Sequence, residues 1–348
     1  MAITVLRAAL GVVLVVMTGG GSGGAPAAEA AGASAEGRFV DGTYSADAGT
    51  RRWRLWVPNG YDARRRAPLL VLLHGCTQDP DDLGRGTRVT EHADRLGVLV
   101  LLPEQPASAN IKKCWNWFDP AHQRRDAGEP ALIAGMTRQV MGEWPADGRR
   151  VYVAGISAGA AMASIMAITY PDLYAAVGLH SGIPFGAATD VMQGVGVMAN
   201  GAPDTESLGR GAHDAMGRYA RPVPVIIIQG GADAVVRPIN ATHTRDQWSA
   251  MNALALGASS GGGVSSTSST AQAGGLAYVR ERVTIPQGEK SAEIVVLTIE
   301  GLGHAWSGGS ARGTFADERG PDATAEILEF FLAHPMPMAA PVPNARTP

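Results

Sequence analysis

Several runs in this sequence are apolar almost without interruption and stop at small or polar residues: APLLVLLHG (67–75), LGVLVLLPE (96–104), LYAAVGLHSG (173–182) and VPVIIIQGG (223–231). Such runs read as strands covered on both faces. RRWRLWVP (51–58) differs, because it alternates and ends on proline as a half-buried strand does. RRVYVAG (149–155) and AEIVVLTIEG (292–301) complete the strand candidates. Between them, residues 83–95 and 130–144 carry helical spacing, a helix starts at Ala158, and DATAEILEFFLAH (322–334) is an amphipathic helix. Strands separated by helices imply βαβ units. The expected architecture is α/β: a doubly wound, mostly parallel sheet with helices on both faces, binding ligands beyond the carboxyl ends of its strands.

The chain has 348 residues, of which 45% are hydrophobic and 18% charged, which is ample for a large core. A net charge of −3 leaves no basic excess for a nucleic-acid partner. The short arginine groups at 51–52, 64–66, 124–125 and 149–150 read as solvated faces. At the N-terminus Arg7 precedes an apolar run at 8–17, too short to span a membrane, and small-residue cleavage patterns follow. Residues 1–35 are therefore expected to be a signal peptide and leader, 36–335 one folded domain, and 336–348 a loose tail. The mature protein would be secreted or periplasmic, with no membrane anchor after cleavage. Within the domain, GASSGGGVSSTSSTAQAGG (257–275) reads as a flexible surface loop. Export permits a disulfide, and the two cysteines, Cys76 and Cys114, permit one.

In VYVAGISAGAAM (151–162) a strand turns at once into a helix, with Ser157 at the corner. Gly155-Ile156-Ser157-Ala158-Gly159 fits the G-x-S-x-G nucleophile elbow. A corner so tight crowds the positions two residues either side, and glycine there removes the clash. The serine is left projecting into the cleft, with helix amides aimed at the same place. The hydroxyl needs a base, and in this arrangement the chain order is serine, acid, histidine. His304 in EGLGHAWSGG follows a strand and sits among glycines, whereas His74, His92 and His122 precede the serine. His180 ends an apolar run and is placed near the site, but no strand carrying an acid precedes it. The acid is expected to follow VPVIIIQGG, where Asp233 stands; Asp246 and Glu300 are weaker candidates. Two donors must meet the oxyanion: the amide of Ala158 and one from LLHGCTQ (72–78), for which the amide of Cys76 is chosen. A Cys76–Cys114 bridge would hold that amide still.

HGCTQ (74–78), PEQ (103–105), KCWNWF (113–118), GEPALI (128–133), the elbow itself, GLGHAWSGG (301–309) and GPDAT (320–324) together resemble the polyhydroxybutyrate depolymerase family of α/β-hydrolase esterases, related to feruloyl and acetylxylan esterases. The resemblance implies an exported serine esterase without metal or cofactor. It carries nucleophile, acid, base and oxyanion donor onto Ser157, Asp233, His304 and Cys76. It also matches Trp115, Trp117 and Trp306 to aromatics near the cleft, of which Trp115 and Trp117, flanking Asn116, lean towards a substrate wall. Ala160 stands where family members often have glycine, which implies a slightly altered approach of helix to sheet. Many polymer depolymerases append an adsorbing domain, and the expectation here is activity on oligomers, amorphous polyester or small esters. The alternatives are a feruloyl or acetylxylan esterase, a hydrolase of another β-linked polymer such as polyaspartate, or a binding protein on the same frame.

Overall fold

Successive side chains of a strand point to opposite faces, and β3 (Ala67–Leu73), buried throughout, divides accordingly. Leu69, Val71 and Leu73 join one apolar core, Leu70 and Leu72 a second. The same division holds in β7 (Val225–Gly230), with Val225 and Ile227 on one side and Ile226 and Ile228 on the other. This is why these runs lack alternation: both faces are covered.

The computed structural model describes residues 36–257, 264–288 and 290–338. The expected leader (1–35), most of the expected tail and part of the glycine- and serine-rich segment lie outside the described residues. β3 and β7 belong to one sheet with β1 (Arg38–Ala46), β2 (Gly49–Val57), β4 (Leu99–Pro103), β5 (Ala146–Ile156), β6 (Val177–His180), β8 (Ser265–Ala273), β9 (Leu276–Gln287) and β10 (Lys290–Ile299). Among the described residues the order of these ten strands is β1-β2-β4-β3-β5-β6-β7-β10-β9-β8. From β4 to β10 every neighbouring pair is parallel, and antiparallel strands finish both sides. Helices α3 (Gly128–Glu143), α4 (Ala158–Thr169), α6 (Thr205–Met216) and α7 (Ile239–Leu256) cover the first core. Helices α1 (Pro80–Thr87), α2 (Val89–Leu96) and α8 (Ala323–Ala333) cover the second. The remaining helix, α5 (Val191–Asn200), buries only Gly194 and Val197.

Three expectations are corrected. The single helix over 83–95 is two helices, α1 and α2, because Arg88 between them adopts a left-handed backbone with φ 55°. The segment expected to be a loop over 257–275 contains β8, a strand of serine, threonine, alanine and glutamine paired along its length with β9. Eight of its nine residues are exposed, so burial left no apolar signature in the sequence. Arg51, expected on a solvated face, is buried: its Nε donates to Gln105 Oε1 at 3.0 Å and its Nη2 lies 3.8 Å from Glu129.

At the centre, α4 starts against the end of β3 with no room for a side chain. A Cβ on Gly159 would lie 2.1 Å from the carbonyl oxygen of Leu73, and one on Gly155 would lie 2.4 Å from the backbone of Gly159. Both obstructions are backbone and cannot rotate aside. Gly159→Ala should therefore destabilise the fold by about 3 kcal/mol or more, at the upper end of what overpacking costs. Urea unfolding followed by circular dichroism checks this, with an unchanged midpoint as the contrary result.

Candidate active site

The close approach of α4 to β3 fixes the corner between β5 and α4. Ser157 occupies it with φ 57° and ψ −124°, outside the conformations open to most residues at low cost. Its amide donates to the carbonyl of His180 at 2.9 Å, and its carbonyl accepts from Ala161 at 3.0 Å. Residue 160 is alanine, and its methyl fits because Gly182 stands opposite: a Cβ there would come within 3.1 Å.

The loops after β7 and β10 meet just as closely. A Cβ on Gly230 would lie 2.4 Å from the carbonyl oxygens of Leu302 and Gly303. Gly231 N donates to Ile299 O at 2.7 Å and Ala232 N to Leu302 O at 2.9 Å. This joint brings Asp233 Oδ2 to 2.7 Å from His304 Nδ1. The other carboxylate oxygen, Oδ1, accepts from the amides of Val235 (2.9 Å) and Val236 (2.8 Å), while Gln229 Nε2 donates to Oδ2 at 3.2 Å. Burial pushes the Asp233 carboxyl up, but the His304 bond and the two amides outweigh it and hold it below its ordinary value. With the carboxylate accepting at Nδ1, the proton of a neutral His304 sits there and Nε2 is left free to act as a base.

Ser157 and His304 line one pocket of about 240 Å³, together with Cys76 and the apolar side chains of Met198, Val235 and Phe315. Its remaining wall is the loop after β3, which is held from several directions. His74 is fully buried, its Nδ1 bonded to Gly75 O at 2.7 Å and its Nε2 accepting from Gln105 N at 3.0 Å. Gln78 accepts from Gly75 N at 3.0 Å and donates to Thr314 O at 3.0 Å, beside Phe315. Cys76 is bonded to Cys114 in a disulfide that spans 38 positions of sequence. Among the described residues no hydrogen bond engages the amide of Cys76 or of Ala158. A larger cleft of about 610 Å³ contains none of the expected triad residues. Its charges are already paired, as in Arg52–Glu104 at 3.0 Å and Lys113–Asp79 at 3.7 Å.

Three of the sequence motifs outside the elbow form a polar knot that the sequence reading missed. The buried carboxylate of Glu129 accepts from Asn116 N at 2.8 Å, from Asn116 Nδ2 at 2.7 Å and from Gln105 Nε2, with Arg51 nearby. PEQ, KCWNWF and GEPALI thus meet at one buried charge, satisfied as such a charge must be. Each motif is visible in the sequence, but their convergence is a fact of tertiary structure.

The three tryptophans are corrected. Trp115 is fully buried with its ring 5.7 Å from that of His74, and Trp117 is buried against Phe118 and under Gly194 of α5. Trp306 is buried, donates Nε1 to Thr324 Oγ1 at 3.0 Å and stacks on His180 at 5.1 Å. None lines the pocket, because the loops that carry them fold inward on the core. His180 is a strut: burial, then nearby His304, pushes its pKa down to about 3, and its neutral Nε2 accepts from Ser307 N at 3.3 Å. Glu300 is exposed, and Asp246 pairs with Arg245 at 2.7 Å. Among the described residues no cluster of three or more His, Cys, Asp or Glu could hold a metal ion.

Two outcomes are expected. Asp233 titrates below its ordinary value of 3.8 when folded, so its contribution to stability is full above that value and is lost as pH falls through the lower folded pKa. Asp233→Asn should unfold at lower urea than the native protein at neutral pH, and the gap should begin to narrow as pH falls below about 3.8, closing below the folded pKa. Removal of the Cys76–Cys114 bridge should cost roughly 4 kcal/mol by loop-closure entropy over its 38 positions, read from the same unfolding curves.

The sequence matches the family described as Esterase PHB depolymerase over residues 52–269, more than half of the chain. It is 35% identical over 204 residues to poly(3-hydroxyalkanoate) depolymerase C of Paucimonas lemoignei, covering 55% of this chain and 46% of that protein. It is 33% identical to feruloyl esterase B of Neurospora crassa, over 52% of this chain and 64% of the relative. For acetylxylan esterase A of Emericella nidulans the values are 30%, 52% and 61%. The matches thus span from about half to less than two thirds of these relatives' length. Among solved structures, the acetyl xylan esterase from Aspergillus awamori superimposes with a TM-score of 0.63 over 84% of this chain and 98% of that one, at 21% identity, which shows the α/β-hydrolase fold. By the extent of the family match, the chain belongs to the PHB depolymerase esterase family.

Proposed function

We propose that the protein is a serine esterase acting on short-chain hydroxyalkanoate polyester or its oligomers, with Ser157 as nucleophile, His304 as base and Asp233 as the acid that orients it. The observation that carries this reading is the 2.7 Å Asp233–His304 bond at the edge of an apolar pocket that Ser157 also lines. Ser157 Oγ attacks the ester carbonyl while His304 Nε2 takes its proton. The amides of Cys76 and Ala158, unengaged by the described residues, receive the oxyanion. Collapse of the intermediate breaks the ester C–O bond, His304 returns the proton to the departing alcohol, and an acyl-enzyme remains. Water, deprotonated by His304, then releases the acid and restores the serine.

The small apolar pocket suits a short uncharged acyl unit, which supports a hydroxyalkanoate over a polyanion such as polyaspartate. A second reading, esterase action on acetyl or feruloyl groups of plant polysaccharide, is supported by the identity to the fungal esterases. Export is supported by the disulfide, a bond that persists in oxidising compartments. No helix among the described residues is long and apolar enough to cross a membrane.

Native protein should clear an amorphous poly(3-hydroxybutyrate) suspension and hydrolyse a short-chain nitrophenyl ester, while Ser157→Ala does neither. Asp233→Asn should lower kcat by about 10⁴-fold, as loss of the orienting carboxylate does in other triads. Ester hydrolysis without clearing, with release of acetate or ferulate from plant-wall material, would favour the second reading. Full activity in Ser157→Ala would overturn both.

A further inference from the structure

Of the ten large apolar side chains exposed among the described residues, three stand together on α5. Val191, Met192 and Val195 of α5 are 56%, 79% and 56% exposed, and Val235 at the pocket rim is 47% exposed. On a helix, positions 191, 195 and 198 follow one another along a single face, and Met198 at the end of that series lines the pocket. The face therefore runs from the pocket outward for about 10 Å, at 1.5 Å per residue. α5 contains no charged residue at all.

The helix is also built to hold this face still. Asp190 caps its first turn, accepting from Gln193 N at 2.9 Å, and Gln193 Oε1 accepts in return from Thr189 N at 3.1 Å. At the far end, the amide of Arg237 and the side chain of Asn240 donate to Met198 O at 2.9 and 3.0 Å. Gly194, on the inner side, sits so close to Trp117 that a Cβ would be 3.1 Å from its ring. The buried tryptophan is the seat of the helix, and Val191, Met192 and Val195 are left exposed.

We infer that the outer face of α5, continuous with the pocket through Met198, is a docking surface for an uncharged, apolar polyester chain, holding the part of the polymer that lies beyond the ester being cut. The inference rests on the esterase reading for its substrate class, but adsorption can be measured without turnover. An uncharged ridge that begins at the pocket matches a polymer with no charges to pair. A charged polysaccharide or polyanion would find no partner on it.

The test uses the full chain carrying Ser157→Ala, so that hydrolysis does not erode the surface. Its adsorption to amorphous poly(3-hydroxybutyrate) granules is compared with that of the same protein bearing Val191→Ser, Met192→Gln and Val195→Ser. Adsorption should fall by about tenfold or more, the loss expected when two or three aliphatic side chains no longer leave water. In the catalytically intact background, clearing should fall more steeply than hydrolysis of a nitrophenyl ester. Leu254→Ser, which removes an exposed apolar side chain on α7 away from the ridge, should change neither. Equal adsorption by the triple variant overturns the proposal while leaving the esterase reading intact. So does sedimentation of the native chain as a dimer that the triple variant dissociates, since a second copy would then cover the ridge. Loss of the triad reading would show instead as activity in Ser157→Ala, whatever the granules bind.

Discussion

The end of the molecule that holds the Ser157 pocket depends on a contact between two stretches of backbone. Helix α4 begins where the carbonyl of Leu73 already stands, and only hydrogen at residue 159 lets the two coexist. Because α4 cannot move away from β3 without losing its packing, the chain passing from β5 into α4 has one path, through the positive φ of Ser157. The cost of that conformation is met by the core beneath: every residue of α4 is buried. Strain at the corner and density in the helix are two aspects of one arrangement.

A second backbone contact does the same for Asp233 and His304. Gly230 meets Leu302 and Gly303 without side chains between them, and two backbone hydrogen bonds tie the loops. The pair Asp233–His304 is thereby set by main chain rather than by the rotamers of neighbouring residues. His180 then couples the two assemblies: its carbonyl takes the amide of Ser157 and its imidazole takes the amide of Ser307, three residues past His304. Burial keeps the ring neutral and therefore able to accept that bond across the physiological range.

The parallel centre of the sheet was legible because doubly covered strands must be continuously apolar, and the elbow because sterics demand glycine at Gly155 and Gly159. The expected pairing of Cys76 with Cys114 is present as well. What could not be read was whatever depends on which way a loop folds. Trp115, Trp117 and Trp306 look alike in sequence whether they wall a cleft or fill a core, and here they fill it. Arg51 looks like any surface arginine until Glu129 is seen beside it. β8 escaped because neither of its faces is buried, so no period in hydropathy marks it.

The serine- and threonine-rich strand has a further consequence. Its side chains touch little, so almost any polar residue could replace another there. A slip of one residue against β9, which in a half-buried strand would turn the core face to water, would exchange one polar face for another. Its turn is less forgiving. A Cβ on Gly274 would lie 2.5 Å from Gly320 O, and one on Gly320 would lie 2.5 Å from Ser307 Oγ, in the segment that carries His304. β8 is free in composition and constrained in length: its letters can drift, while an inserted or deleted residue in the hairpin would be felt at the histidine.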